Sequence, residues 1–390
     1  MPDAARSNAR IDGCGSGDGW AAAEILKLFL CGDIMTGRGI DQVLPHPGDP
    51  RLFESHVHSA LGYVRLAENV SGTISCPVDF AYIWGDALEE LDHRRPAARI
   101  VNLETAVAAS GDPWPAKGIH YRMNPANVPA LTAARIDCCV LANNHVLDFS
   151  REGLEETIGA LAAAGIRTTG AGRDAGEAAT PAQIEMSGGQ RILVFAFATE
   201  TSGVPPDWAA TAERPGVNLL PELSQDALDR IAELIRAHGR SGDLVIVSLH
   251  WGPNWGYDVS REERQFAHAL LDVAGVDLIY GHSSHHAKGI EVHEGKLVLY
   301  GCGDFVNDYE GIGGYESYRS DLAVMYFPEL DTNGRLQRLA LVPMRRRRFS
   351  LMRAPLGDAD WLCEKMTHAG RSFGTRVTAA TDGVLQLCWD

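Results

Sequence analysis

The order of apolar runs and helical repeats predicts an α/β protein built from two packed sheets with helices outside. Runs of strand length fall at 26–31 (LKLFLC), 99–103 (RIVNL), 137–141 (DCCVL), 191–197 (RILVFAF), 244–249 (LVIVSL), 276–280 (VDLIY) and 296–300 (KLVLY). Between several of them, apolar residues recur every three or four positions, at 84–94, 151–164, 222–238 and 261–274. Strand alternating with helix implies buried, largely parallel strands. Two later segments, 286–305 and 321–344, read instead as antiparallel hairpins, the second turning at Thr332–Gly334. That change of character argues for two sheets over one doubly wound sheet.

A length of 390 residues and 45% hydrophobic residues are enough for a large core. We read residues 1–22, rich in Gly, Ala, Ser, Asp and Arg, as a disordered leader. Residues 23–350 read as one domain, with Pro- and Gly-bearing insertions near 40–80 and 200–222 that have the length of functional covers. Residues 351–390 read as a helical extension packed on the body. The apolar segment WAAAEILKLFLCG is too short to span a bilayer and is broken by Glu24 and Lys27, so no membrane association is expected. The eight cysteines show no paired spacing, which suits reduced thiols and a cytoplasmic location. A net charge of −16 argues against a nucleic-acid partner, and the single basic run, Arg345–Arg348, reads as a solvated strand end. Nothing in the chain sets an oligomeric state.

Chemistry-bearing residues gather where strands end. Asp33 follows the first strand in LFLCGDIMTGR, and Asn102 and Glu104 close the second in RIVNLETAV. Asn143, Asn144, His145 and Asp148 follow the third, His250 follows LVIVSL, and His282, His285 and His286 follow VDLIYG. In open α/β sheets ligands bind beyond the carboxyl ends of strands. Each residue alone has a plainer use: an aspartate after a strand caps a helix, an Asn–Asn–His run makes a turn, and a single histidine sits satisfied in a core. Five successive strand ends offering carboxylate, amide and imidazole make a metal site the better reading, suited to Zn, Mn, Fe or Ca, with no organic cofactor.

The motifs GDIMTGR, NLET, ANNH with a following Asp, HWG, and GHSSH before YGCGDF resemble, in order, those of CapA-type proteins. That family is named for poly-γ-glutamate capsule synthesis and is related to calcineurin-like metallophosphoesterases. The resemblance implies a four-layer α/β/β/α sandwich of two mixed sheets. It also implies a divalent-metal centre made by Asp33, Glu104, Asn144, His250, His282 and His285, with His145 as an acid/base neighbour. Three departures argue against a full binuclear phosphatase. Met35 stands where a histidine is usual, Asn102–Leu103–Glu104 replaces a GDxxD-like motif, and the final pair is spaced His282-x-x-His285.

Three reactions follow as expectations. The first is phosphoester or amide hydrolysis, with Arg38 and Asn102 facing the substrate. The second is poly-γ-glutamate processing, which the acidic charge opposes. The third, placed first at this level, is cofactor-independent epimerisation of a peptide. It is suggested by similarity to the CapA-like epimerases of lasso-peptide biosynthesis, which act on a ribosomal precursor. For that chemistry His145, His286, Asp304 and Cys302 are the proton carriers, and Trp114, Trp251 and Trp255 are an aromatic pocket for the peptide.

Overall fold

A computed structural model describes residues 25–186 and 188–390. The leader expected over 1–22 lies outside the described residues. Chain order gives β1 (Leu26–Ile34), α1 (Leu61–Ser71), α2 (Ala87–Arg94), β2 (Ala98–Leu103), β3 (Cys138–Val140), α3 (Ser150–Ala163), β4 (Arg167–Thr169) and β5 (Arg191–Thr199). It continues with α4 (Gln225–His238), β6 (Leu244–His250), α5 (Arg261–Asp272), β7 (Leu278–His282), β8 (Ile290–His293), β9 (Lys296–Leu299) and β10 (Asp304–Val306). The last elements are β11 (Leu322–Leu330), β12 (Leu336–Arg347), α6 (Leu356–Gly370), β13 (Thr375–Ala379) and β14 (Leu385–Trp389). Every strand-length run read from the sequence is a strand here.

Two mixed sheets carry the fold. One runs β13-β14-β12-β11-β1-β2-β3-β4, with β10 added beside the end of β1; the other has β5-β6-β7-β9-β8 as its spine. β1 to β4 are mutually parallel, as are β5, β6 and β7, whereas the β8–β9 and β11–β12 hairpins are antiparallel. Period-two alternation explains the layering. Leu193, Phe195, Phe197, Val245, Val247 and Leu249 pack on Ile231 and Ile235 of α4 and Phe266 and Leu270 of α5. Their alternating neighbours Ile192, Val194, Ala196, Leu244 and Ile246 turn into the core shared with the first sheet. The buried Tyr280 hydroxyl pins the sheets together, accepting from the Cys31 amide at 3.2 Å and donating to the Cys31 carbonyl. On the outer face of the first sheet, Trp84 lies against Phe305 and its indole donates to the Ala130 carbonyl at 2.7 Å. Helix, sheet, sheet and helix stack in that order.

Two expectations about the chain's organisation change. Residues 351–390 are only half helical: after α6, the alternating TRVTA and LQLCW segments close a hairpin over Gly383 (φ 79°), and β14 pairs with β12. Strand propensity and an Asp–Gly turn outweigh helix there. The 200–222 insertion is part of the body. Leu219–Leu220 pairs with β5, Gly216–Val217 pairs with Ala171–Gly172, and Trp208 is fully buried. Among the described residues no helix is long and apolar enough to cross a membrane.

Candidate metal centre

The carboxyl ends of β1 and β2 in one sheet meet those of β6 and β7 in the other. Registers put Asp33 beside both Asn102 and Asp304, and His250 beside His282. The first of these depends on glycine. A Cβ on Gly32 would sit 1.9 Å from the Gly303 carbonyl oxygen, so only glycine lets the 301–306 segment close onto β1. Ser283 follows β7 at φ 88°, a left-handed conformation costly for serine, held by its hydroxyl donating to Gly252 O at 2.9 Å. Its amide lies 3.4 Å from Asp33 Oδ2.

Asp33, Glu104 and His250 each bring a donor atom within 4.8 Å of the others, all buried. His282 Nδ1 lies 2.7 Å from Asp33 Oδ1, and its ring is stacked 6.3 Å from that of His250. Glu104 Oε2, Asn144 Oδ1 and His282 Nε2 are buried with no hydrogen-bond partner. Buried polar atoms are normally satisfied, so three orphans among carboxylate, amide and imidazole fit a divalent cation. The electrostatics agree. Burial, with the nearby Asp33 charge, pushes the Glu104 carboxyl well above the usual carboxylate range. Burial works against Asp33 as well, but the His282 charge and hydrogen bond outweigh it and hold that carboxyl low. Burial, helped by the neighbouring His282, His145 and His285 and opposed by Asp33, pushes the His250 imidazole down to about 3, keeping it neutral as a ligand must be. One carboxylate keeps its charge and the other lacks a counter-ion.

Beside this group, His145 Nδ1 lies 2.6 Å from Asp148 Oδ2, and His145 Nε2 is 3.8 Å from Glu104 Oε1. Lys117 Nζ stands 2.7 Å from Asp148 Oδ1. Burial pushes the His145 imidazole down to about 4, so near neutral pH it carries no charge. Nδ1 faces Asp148 Oδ2 at 2.6 Å and the Lys117 ammonium at 3.0 Å; the shorter carboxylate contact favours Nδ1–H, which leaves Nε2 with a lone pair toward the centre.

His285 stands apart from the three-residue donor group. Its Nδ1 is 2.8 Å from Asp304 Oδ1, its Nε2 is 3.0 Å from Asn254 Nδ2, and its ring packs beside Trp255 in a cleft of about 360 Å³. Asp304 is spent on positioning His285 and accepting from Asn307 at 2.8 Å, which leaves no free base. Cys302 is walled into the core, where burial raises its thiol well above the usual range. His286, pushed down to about 4 by burial, accepts from the Gly256 amide at 3.2 Å and packs on Tyr257 and Tyr318.

The expected substrate contacts also sort out. Asn102 is fully buried, donating to Asp33 at 2.8 Å and accepting from Asn143 at 3.0 Å, so it braces the centre instead of meeting a ligand. Arg38 is consumed by Asp308, by Glu54 at 3.0 Å and by the Tyr63 hydroxyl at 3.0 Å, and offers no open anion site. Trp251 stacks on Tyr300 in the helix-side core, and Trp114 packs edge-on against Trp208. Of the three tryptophans only Trp255 lines the cleft, flat against Tyr315 at 3.9 Å; Arg38 lines it too, with its guanidinium already paired. Lys117 escaped notice because its loop, PWPAKG, has no period, and the role of Asp148 lay in a three-residue offset from His145 that any turn shares.

Fold and donor set together define an α/β/β/α sandwich with a place for a divalent cation where its two sheets meet. The chain belongs to the bacterial capsule synthesis protein PGA_cap family, whose profile matches residues 27–309. It is 47% identical over 366 residues to a probable polyglutamine synthesis accessory protein of Mycobacterium tuberculosis, covering 93% of this chain and 96% of that one. It is 27% identical over 314 residues to the PGA biosynthesis protein CapA of Bacillus subtilis, covering 80% and 70%. A 5'-nucleotidase precursor from Thermus thermophilus superposes with a TM-score of 0.44 at 14% identity, over 87% of this chain and 58% of its own. That likeness is too slight to bear on chemistry.

Proposed function

We propose that this protein is a divalent-metal-dependent enzyme acting on the amide backbone of a glutamate-containing polymer of the poly-γ-glutamate kind, by hydrolysis or transfer. The supporting observation is the buried Asp33–Glu104–His250 convergence, in which Glu104 Oε2 is unsatisfied, set beside the His145–Asp148 pair. Asp33, Glu104, His250 and His282, with Asn144, would hold the ion. When bound, a divalent ion supplies Lewis-acid polarisation of a substrate oxygen. His145 Nε2 accepts a proton from the attacking group and returns it to the leaving nitrogen, while Asp148 fixes the tautomer. One relative is named for polyglutamine synthesis and another for PGA biosynthesis, which supports a polymer of glutamine or glutamate units as substrate. A second groove of about 670 Å³ shares Tyr309, Ile312 and Ser320 with the cleft; its Arg319, Arg345 and Arg353 are paired with Asp321, Asp358 and Glu90, and Arg346 braces the Asp304 carbonyl.

Epimerisation of a lasso-type precursor, the reading placed first from sequence, asks for a second base opposed to His145. Cys302, His286 and Asp304 are each walled off or engaged, so hydrolysis or transfer now leads. The test is to incubate metal-loaded protein with poly-γ-glutamate and follow polymer length and new amino termini. Peptide Cα deuterium exchange and a generic phosphodiester are run in parallel. Metal-dependent shortening or transfer, lost in His145→Ala with metal content unchanged, is the expected result. An unaltered polymer with Cα exchange would return the reading to epimerisation. An unaltered polymer with phosphodiester turnover would make the protein a phosphoesterase. Full polymer turnover by the His145 variant would remove the proton-transfer role.

A further inference from the structure

Away from the centre, α5 and the β8–β9 hairpin bring a second set of donors together. His268 and Asp272 lie four apart on α5 and so share a helix face; Glu291 and His293 lie two apart on β8 and share a strand face. These faces meet. His268 Nε2 is 3.1 Å from Glu291 Oε1, and His293 Nε2 is 3.0 Å from Asp272 Oδ1. The two imidazoles stack at 3.8 Å with planes 11° apart. Donor atoms of His268, Glu291 and His293 all lie within 4.8 Å of one another.

We propose that His268, Glu291 and His293, with Asp272 as a fourth donor, form a second site for a zinc-like divalent cation, tying α5 to the β8–β9 hairpin. Donors around tetrahedral zinc, with bonds of about 2.0–2.2 Å, stand about 3.3–3.6 Å apart, close to the spacings of both His–carboxylate pairs. His268 Nε2 is buried and meets the angles of no hydrogen bond despite its closeness to Glu291. Because the two rings stack nearly parallel, one of them must turn about its Cβ–Cγ bond for both nitrogens to face one ion. Glu291 is already aimed: the Tyr300 hydroxyl donates to Oε2 at 2.6 Å and Arg264 to Oε1 at 2.6 Å. Such outer partners are usual around metal-bound carboxylates. Two imidazoles with carboxylates select zinc, or a neighbouring transition ion, over magnesium or calcium.

The proposal is tested on the full-length chain, stripped with chelator and titrated with zinc chloride alone. Bound zinc is counted after equilibrium dialysis for the wild type and for His268→Gln/His293→Gln. The wild type should hold one equivalent more than the double variant, and zinc-edge anomalous scattering should place an ion between His268, Glu291 and His293. Equal stoichiometry in the folded variant, or no anomalous peak there in zinc-loaded wild type, overturns it. Should the double variant fail to fold, the wild-type anomalous map decides alone. Occupancy at Asp33 and His250 is read from the same map, so failure at either centre is distinguishable from failure at the other.

Discussion

Among the histidines at the ends of β6 and β7 and in their neighbourhood, His145 combines a carboxylate on one nitrogen with a second nitrogen directed at the metal donors. His282 and His285 also face carboxylates, but His282 serves Asp33, and His285 has its other nitrogen on Asn254. The tautomer of His145 is therefore set by Asp148. Replacing Asp148 by Asn leaves a hydrogen-bonding group of the same size, yet permits the wrong ring nitrogen to keep the proton. Turnover of whatever substrate the assay identifies should fall by about 10²-fold or more with metal content close to wild type, and the thermal midpoint should drop because Lys117 loses its buried partner. A normal rate in Asp148→Asn would make the pair structural. The metal donors at strand ends stood out in the sequence because five strand ends repeated one chemistry. Lys117 could not stand out, because it reaches Asp148 from a loop by tertiary placement alone. Arg38 and Asn102 misled for a related reason: a polar residue beside a site looks the same in sequence whether it faces the ligand or braces a neighbour.

Elements were easier to read than their partners. The long core strands were visible as apolar runs, whereas β13 and β14 fell in a stretch read as helix; α5 starts at Ser260 and Glu263, which form a reciprocal capping box. What the sequence concealed was pairing: that β10 returns to lie beside β1, and that β13 and β14 extend the first sheet. Long-range register depends on contacts between residues hundreds of positions apart, which no local period records. The β1–β10 junction is the most exacting of these because the backbones touch at Gly32 and Gly303. Gly32→Ala should push β10 off β1, carrying Asp304 and with it the His285 ring. Overpacking of this sort costs about 1–3 kcal/mol or more. The expected outcome is a lower thermal midpoint together with weaker metal retention by dialysis. A variant as stable as wild type would show that the junction relaxes freely. The Arg345–Arg348 run also changed meaning: Arg346 is buried at the end of β12 and donates to the Asp304 carbonyl at 2.6 Å, bracing the same junction.

At the scale of the molecule the candidate centre is a joint, since Asp33 and Glu104 come from the first sheet and His250 and His282 from the second. A bound cation would cross-link the sheets, and its effect on stability must follow pH through the groups it replaces. His145, His250 and His286 are held at about 4, 3 and 4 in the fold, below the value of about 6.5 for a free imidazole. The unfolded chain therefore binds more protons between those limits. The stability these rings allow is complete above about pH 6.5 and is lost as pH falls toward 4. Glu104 acts in the opposite sense: its raised carboxyl contributes most below its free value of about 4.3 and loses that contribution as pH rises toward its folded value. Without metal, three histidines outweigh one glutamate on the acid side, so the urea midpoint should climb from pH 4.5 to 6.5. Above that the Glu104 cost should flatten or reverse it. With metal the Glu104 charge is compensated, so the gain from the ion should grow with pH. The gain should reach about 2.7 kcal/mol when free metal is a hundredfold above its dissociation constant. Urea melts of chelator-stripped and metal-loaded protein at pH 5, 6, 7 and 8 measure this directly, with Asp33→Asn as the control that should lose the increment. A gain independent of pH, or one that survives in Asp33→Asn, would mean that the ion binds elsewhere and that the two sheets are held together by packing alone.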